Sequence, residues 1–264
     1  MNKILLLMVT PLFMFAKVHY AKVEPYESVV MKSAVSGLVL DANLDAEGTR
    51  VKGECIIYLD DKLDKLNLES SKKNMVFLKE MLDINKDIAS SLEDTTRRQK
   101  SYYMRISKLS TASKTQKDNA YSAFASAKTQ HLGTKEKIIN LEKQMLDMQH
   151  MIAKLEDSIA KKTIILNDKY LYKLIVRKGD FVAPGSPLAQ VNDASKAKLV
   201  LFLEPEELAQ LKVKIVYLDD VKTDYKVDKV WKVADEKFIS SYRAEIYMPA
   251  PEGAFSKLIK VEIK

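Results

Sequence analysis

The sequence predicts an α+β fold in which a long antiparallel coiled-coil hairpin of two α-helices interrupts a small β domain, with further strands after it. Three observations carry this reading. Apolar residues recur at alternating steps of four and three through the middle of the chain, helix-breaking residues are nearly absent there, and similar strand-and-glycine phrases stand on either side.

The chain opens with Lys3 and an apolar run from Ile4 to Phe15 that Thr10 and Pro11 interrupt. About a dozen residues is short for a bilayer span and fits the core of a secretory signal peptide. Residues 1–21 are therefore read as an export leader. Ala16 and Ala21 each offer a small residue at the cut, while Met14 and His19 are poor residues two places before them. An uncleaved amino-terminal anchor is the alternative. No cysteine stands near this segment, which excludes lipoprotein processing. Cys55 is the only cysteine, so it makes no internal disulfide, and Ile56 and Ile57 beside it predict a small buried residue.

Residues 35–60 read VSGLVLDANLDAEGTRVKGECIIYLD. Short apolar runs bounded by Gly37, Gly48 and Gly53 are strands with tight turns, where glycine supplies backbone conformations that other residues resist.

The hairpin occupies residues 62–163. Its second arm carries a seam through Ala120, Phe124, Ala127, His131, Thr134, Ile138, Leu141, Met145, Met148, Ile152, Leu155 and Ile159. Only His131 and Thr134 interrupt its apolar character. The first arm has a looser seam through Leu68, Met75, Leu78, Leu82, Ala89, Leu92, Tyr103 and Ile106, with Asn85, Thr96 and Gln99 on the same line. No proline lies between Pro25 and Pro184, and Gly133 is the only glycine between Gly53 and Gly179. Two arms of about 45 residues would each run for roughly 65 to 70 Å. The polar segment 110–119, with no seam residue larger than alanine, places the turn near residues 110–116. His131 and Gly133 interrupt the second arm nearer the tip and predict a local bend or a break in the seam rather than a ligand site.

The first phrase returns after the hairpin in residues 164–193, IILNDKYLYKLIVRKGDFVAPGSPLAQVND. Glu47-Gly48-Thr49-Arg50-Val51 matches Lys178-Gly179-Asp180-Phe181-Val182, each followed by a second glycine, Gly53 or Gly185. Five of the seven glycines belong to this repeat. The copies differ by one residue before the second glycine, and Asp168 stands where the first copy has Gly37. Beyond it, residues 197–203, 213–218, 225–233, 241–248 and 258–263 are strand candidates, residues 205–211 fit a short helix opening at Pro205, and residues 23–30 form an amino-terminal strand.

Two half-motifs joined across an inserted hairpin resemble the split lipoyl (biotinyl-lipoyl) domain of periplasmic adaptors, the membrane fusion proteins of the hemolysin D-like kind. GDFVAPGSPLAQVND is the most specific phrase. The resemblance implies a leader at 1–21, an amino-terminal strand at 22–34 that joins a final barrel, lipoyl-like halves at 35–61 and 164–193, the hairpin at 62–163, and a small β-barrel at 194–264. Gly37, Gly48, Gly53, Gly179 and Gly185 are then the turns of the lipoyl-like motif. A further membrane-proximal domain of many adaptors is expected to be missing or reduced.

The family's hairpin tip carries arginine, leucine and serine that contact an outer-membrane channel of the TolC type. Arg105, Leu109 and Ser113 look like that motif, followed by Asp118. Three residues separate Leu109 from Ser113 where the family usually has six, as a shortened turn would produce. Ser113 with Gln116 is also a capping box, which starts a helix whatever the partner. The resemblance further implies a hexameric ring, in which polar outer faces of hairpins lie side by side.

Lys62 ends the first half where true lipoyl and biotinyl carriers display a modified lysine on a tight turn. Here about a hundred residues replace that turn, so Lys62 is expected to begin the first helix. Met145, Met148, His150 and Met151 suggest a soft-metal site, since thioethers and imidazole suit Cu(I). Core packing is the stronger reading for seam methionines, and no metal or other cofactor is expected.

The chain has 43 Lys+Arg against 36 Asp+Glu, a formal charge of +7. No basic run with interleaved aromatics appears, so no nucleic-acid partner is expected. No phosphate loop, nucleophile elbow or histidine–carboxylate grouping occurs, and no enzyme activity is expected. The functional expectation is a periplasmic adaptor of an efflux or secretion system. It would join an inner-membrane transporter, of the RND type or else the ABC type, to the TolC-type channel and sit at the inner membrane through that transporter. A carrier modified on Lys62 and an exported coiled-coil spacer are the alternatives.

Overall fold

The computed structural model describes residues 17–209, 211, 214–234, 238, 240–253 and 255–264. The apolar run of residues 1–16 lies outside the described residues.

Two helices, α1 (Lys62–Lys108) and α2 (Lys114–Lys161), form the hairpin. At 1.5 Å per residue each is about 70 Å long. Ala120, Ala127, Thr134 and Leu141 of the α2 seam are buried and its other predicted positions are half-buried. The α1 seam behaves alike, with Leu82 and Ala89 buried and Asn85, Thr96 and Gln99 half-buried. It extends unbroken to Ser71 and Asp64, which are polar and therefore silent in an apolar pattern. Two of the polar intruders are satisfied locally, Asn85 Nδ2 donating to the Met81 carbonyl at 2.7 Å and Thr134 Oγ1 to the Gln130 carbonyl at 3.1 Å, whereas the Thr96 hydroxyl is buried without a hydrogen-bond partner among the described residues. α2 is one helix through His131 and Gly133. Among the described residues no helix is long and apolar enough to cross a membrane.

The strands are β1 (Val18–Lys32), β2 (Gly37–Ala42), β3 (Thr49–Leu59), β4 (Thr163–Leu174), β5 (Phe181–Val182), β6 (Pro187–Leu203), β7 (Val216–Leu218), β8 (Val221–Lys222), β9 (Lys229–Val230), β10 (Tyr242–Pro249) and β11 (Leu258–Ile263). Every pairing among the described residues is antiparallel, in the order β5-β2-β3-β4-β6-β1-β11-β7-β8, with β10 on β6 and β9 on β10. Two cores result. The first, beneath the hairpin, gathers Val39, Ile57, Leu59, Leu171, Leu174 and Leu188. The second gathers Ala21, Val23, Leu199, Leu201, Ile246 and Val261. β1 and β6 are long enough to serve both, and their mutual pairing runs from Val23↔Leu199 to Lys32↔Pro187.

The two copies of the repeat grip each other. Gly48 N donates to the Leu171 carbonyl at 2.8 Å, and Gly179 N to the Val39 carbonyl at 2.9 Å. Gly48 and Gly53 in one copy and Gly179 and Gly185 in the other all have positive φ, where a Cβ is disfavoured. Gly37 is different: a Cβ there would meet Leu59 Cβ at 3.1 Å, so glycine permits a close strand approach. Asp168 has φ 50 and is held by Arg50, whose Nε and Nη2 donate to its two carboxylate oxygens at 2.8 and 2.9 Å.

Several expectations need correction. Cys55 is exposed, because a register shift between Cys55 and Ile57 turns both Ile56 and Ile57 inward. Residues 205–209 form turns and no helix; the Glu204 N–H is taken by the Glu207 carboxylate at 2.8 Å, and His19 Nε2 lies 2.7 Å from its other oxygen. Residue 210 lies outside the described residues. The strand expected at 213–218 reduces to β7, with 213 outside the described residues, and that at 225–233 reduces to β9. The amino-terminal strand is longer than expected, beginning at Val18 because β11 offers partners from Leu258 to Glu262.

Candidate functional site

The tip of the hairpin is built by a helix stop and a helix start. α1 ends when Leu109 turns to extended backbone, φ −76 and ψ 123, and its N–H reaches back to the Ile106 carbonyl at 3.2 Å. α2 starts at a capping box. Ser113 Oγ accepts from the Gln116 N–H at 3.2 Å, and Gln116 Oε1 accepts from the Ser113 N–H at 2.8 Å. Two orphan amide groups are thereby satisfied without any residue outside the turn.

The side chain of Leu109 is left 48% exposed at this end. Arg105 Nη1 donates to Ser101 Oγ at 3.3 Å, one turn earlier, and its guanidinium is otherwise directed to solvent. Asp118 is exposed, with no hydrogen bond or ion pair among the described residues. The four predicted tip residues thus share one end of the rod. No hydrogen bond or ion pair joins them, and Ser113 spends its hydroxyl on the helix cap.

Two features here escaped the sequence reading. Below the turn, Tyr103 on α1 stacks against Phe124 with centroids 6.2 Å apart and planes at 4°, and it meets Tyr121 at 5.4 Å. Tyr121 lies off the seam, so no heptad pattern could reveal this clasp. The second feature is charge. Beyond the Arg97–Asp94 ion pair, Arg98, Lys100, Arg105, Lys108, Lys114 and Lys117 stand with one acid, Asp118, over residues 98–118. The modest overall excess therefore conceals a strongly basic tip, visible only when charge is counted in the window that the turn brings together.

The other candidate residues are dispersed. Met145 lines one groove of the hairpin with Leu82 and Ile152, while Met148 and Met151 line the opposite groove with Phe77 and Met81. His150 is exposed. The four do not converge on one point as ligands of a metal would. Lys62 is the first residue of α1, and its N–H is capped by Asp60 Oδ1 at 3.1 Å.

At the base, Lys162 is buried and its Nζ reaches the Asp60 carbonyl at 2.7 Å. Its ammonium also lies 2.5 Å from Asp64 Oδ2, outside hydrogen-bonding alignment, so that contact is an ion pair. Asp61, next to these groups, would be raised by burial alone. Lys65 and Tyr58 outweigh that effect and hold its carboxyl below the usual range.

No protein-family model matches the chain, and no curated protein matches it. Solved structures do. MacA from Actinobacillus actinomycetemcomitans superposes with a TM-score of 0.67 at 17% identity, over 94% of this chain and 78% of that one. The membrane fusion protein Spr0693 from Streptococcus pneumoniae R6 gives 0.57 at 10% identity, over 94% and 99%. The chain has the membrane fusion protein fold. A MacA–MexA chimera containing the Pseudomonas aeruginosa MexA α-hairpin domain gives 0.62 at 16% identity, over 94% and 81%, so the likeness takes in the hairpin.

Proposed function

We propose that this chain is a non-enzymatic adaptor that bridges an inner-membrane transporter and a TolC-type outer-membrane channel, with the hairpin tip engaging the channel. The observation that carries the reading is the pairing of a rigid rod of about 70 Å with a basic tip bearing exposed Leu109. A short contact at a rod's end is weak alone and gains strength when several rods present it together. The excess of cations fits an acidic rim on the partner, and Leu109 supplies an apolar anchor within it.

In this reading the first core is a split lipoyl-like domain and the second a small β-barrel, and these modules engage the transporter and neighbouring adaptors. The reciprocal glycine turns support the lipoyl assignment. An RND transporter is the first candidate and an ABC transporter the second. The apolar run at the amino terminus supports export, a TolC-type channel partner would put the protein in the periplasm of a Gram-negative cell, and cleavage after Ala16 is supported over Ala21 by the burial of Ala21 within β1. A modified carrier is disfavoured by the helical, capped setting of Lys62.

The test is complementation. Cells lacking the protein should lose tolerance to exported compounds, and the wild-type chain should restore it. Leu109→Asp should be folded and exported yet fail to restore tolerance. Full restoration by that variant would refute the tip as the docking element.

A further inference from the structure

A cleft of about 1170 Å³ opens beside the strands that the two cores share. Its floor is one transverse row of the sheet. Arg50 on β3 stands opposite Tyr170 on β4, Tyr170 opposite Asn192 on β6, and Asn192 opposite Ser28 on β1. Strand alternation turns this row away from the first core, into which the neighbouring row of Leu171 and Val191 points. The segment leading into β11 forms a wall. It is fixed to β1, with Ser256 N donating to the Val23 carbonyl at 2.8 Å and Val23 N to the Lys257 carbonyl at 2.9 Å, and Phe255 packs against the second core.

Three features of the lining define what fits there. Asn192 Oδ1 is buried at the floor and has no hydrogen-bond partner among the described residues. A buried acceptor left alone is costly, so a ligand that brings it a donor gains by doing so. Lys22, Lys173, Glu24 and Glu252 line the cleft with no ion pair among the described residues, two charges of each sign. Arg50 is offset by Asp168 and Lys198 by Glu245, so the cleft holds many charged hydrogen-bonding groups and no net excess of either sign. Tyr170, Tyr172 and Phe255 add flat apolar faces, and Tyr172 is 54% exposed.

We propose that this cleft binds a short neutral oligosaccharide, with sugar rings against Tyr170 and Tyr172 and a hydroxyl or amide group donating to Asn192 Oδ1. The hydroxyls of a sugar donate to carboxylates and accept from ammonium groups, so both signs of charge serve one ligand. Its C–H faces suit the aromatic rings. Along β1 the lining runs from Lys22 to Ser28, about 20 Å, which is the length of a chain of rings and not of a single one. An anionic ligand would meet Glu24 and Glu252 as like charges. An extended peptide would need free backbone at a sheet edge, whereas β4 and β6 at the floor are paired on both sides. The cleft lies apart from the hairpin tip, and this inference does not depend on the adaptor reading.

The test is calorimetric titration of the purified full chain with chitotriose, which carries N-acetyl amides, and with maltotriose, which carries hydroxyls alone. At least one should bind saturably. Asn192→Ala and Tyr172→Ala should each weaken that binding at least about fivefold while circular dichroism and thermal melting stay as in the wild type. Tyr172 is exposed enough that its truncation should leave the fold intact. Stronger binding of chitotriose would assign the cleft to amino-sugar chains, and stronger binding of maltotriose to glucans. No saturable binding of either trisaccharide up to about 10 mM, or binding that either variant leaves unchanged, would overturn the proposal. Leu109→Asp at the tip should bind the sugar as the wild type does, so failure of the docking reading and failure of this one are told apart.

Discussion

Lys162 Nζ donates to the carbonyl of Asp60 at 2.7 Å across 102 residues of sequence, pinning the end of α2 to the strand from which α1 departs. The Leu59 N–H meets the Lys162 carbonyl at 2.9 Å, so the same residue holds the base through both its side chain and its backbone. The two arms can then transmit force or register to the β domain as one rigid element.

Lys162→Ala should therefore destabilise the protein by about 3 kcal/mol, since it strands the ion-pair partner Asp64 in a largely buried site. Urea unfolding should show a lowered midpoint. Lys72→Ala, which removes an exposed ion pair to Glu156, should cost no more than about 0.5 kcal/mol.

Two glycines should respond in opposite directions. Gly133 lies inside α2 with no other atom within 4 Å of the place a methyl group would take, so Gly133→Ala should stabilise by about 0.5 to 1 kcal/mol. Gly179 also has open space, but its φ of +96 penalises any Cβ, and Gly179→Ala should destabilise by about 1 to 2 kcal/mol. Denaturant melts of the two variants check the contrast.

The hairpin was legible because a heptad seam survives occasional polar residues, and the arms' equal length implied a turn. Ser71 and Asp64 extend the seam invisibly, since only geometry marks them. The glycine repeat located the reciprocal turns, while the inward turn of both Ile56 and Ile57 depended on a register shift that alternation cannot foretell. After β6, the short strands owe their place to partners far along the chain, so local propensity misread Pro205 as a helix start. At the tip, the motif residues lie at one end of the rod, but the aromatic clasp required knowing which turns of the two helices face each other.

Acid should unfold the protein through carboxylates that folding holds ionised. Hydrogen bonds from Lys169 and then Ser195 hold Asp193 well below the usual carboxylate range. Burial would raise Glu245, but Tyr247, Arg243 and Lys198 together lower it, and Tyr247, pushed up to about 12 by burial and by Glu245, remains a donor. Because the folded-state values lie below the unfolded ones, this stabilisation is complete above about pH 5 and is lost as pH falls below about 4. Unfolding free energy should be flat from about pH 7 to 5 and fall below that. Asp193→Asn should flatten the acid slope by up to about 1.4 kcal/mol per pH unit, the contribution of one proton.

Processing should spare β1. Ala21 is 1% exposed in the second core and pairs with Ile259, and His19 Nε2 sits 2.7 Å from Glu207. Mass spectrometry of the exported protein should give an amino terminus at Lys17. A terminus at Lys22 would mean that the strand forms without its first residues.

The docking tip is tested most directly by photo-crosslinking in intact cells, with a probe at Lys114 beside the turn and a control probe at Lys86 on the flank of α1. The adaptor reading predicts that Lys114 captures a TolC-type outer-membrane channel and Lys86 does not. A folded, exported protein that captures no channel from Lys114 would contradict it, and the hairpin would then be a spacer.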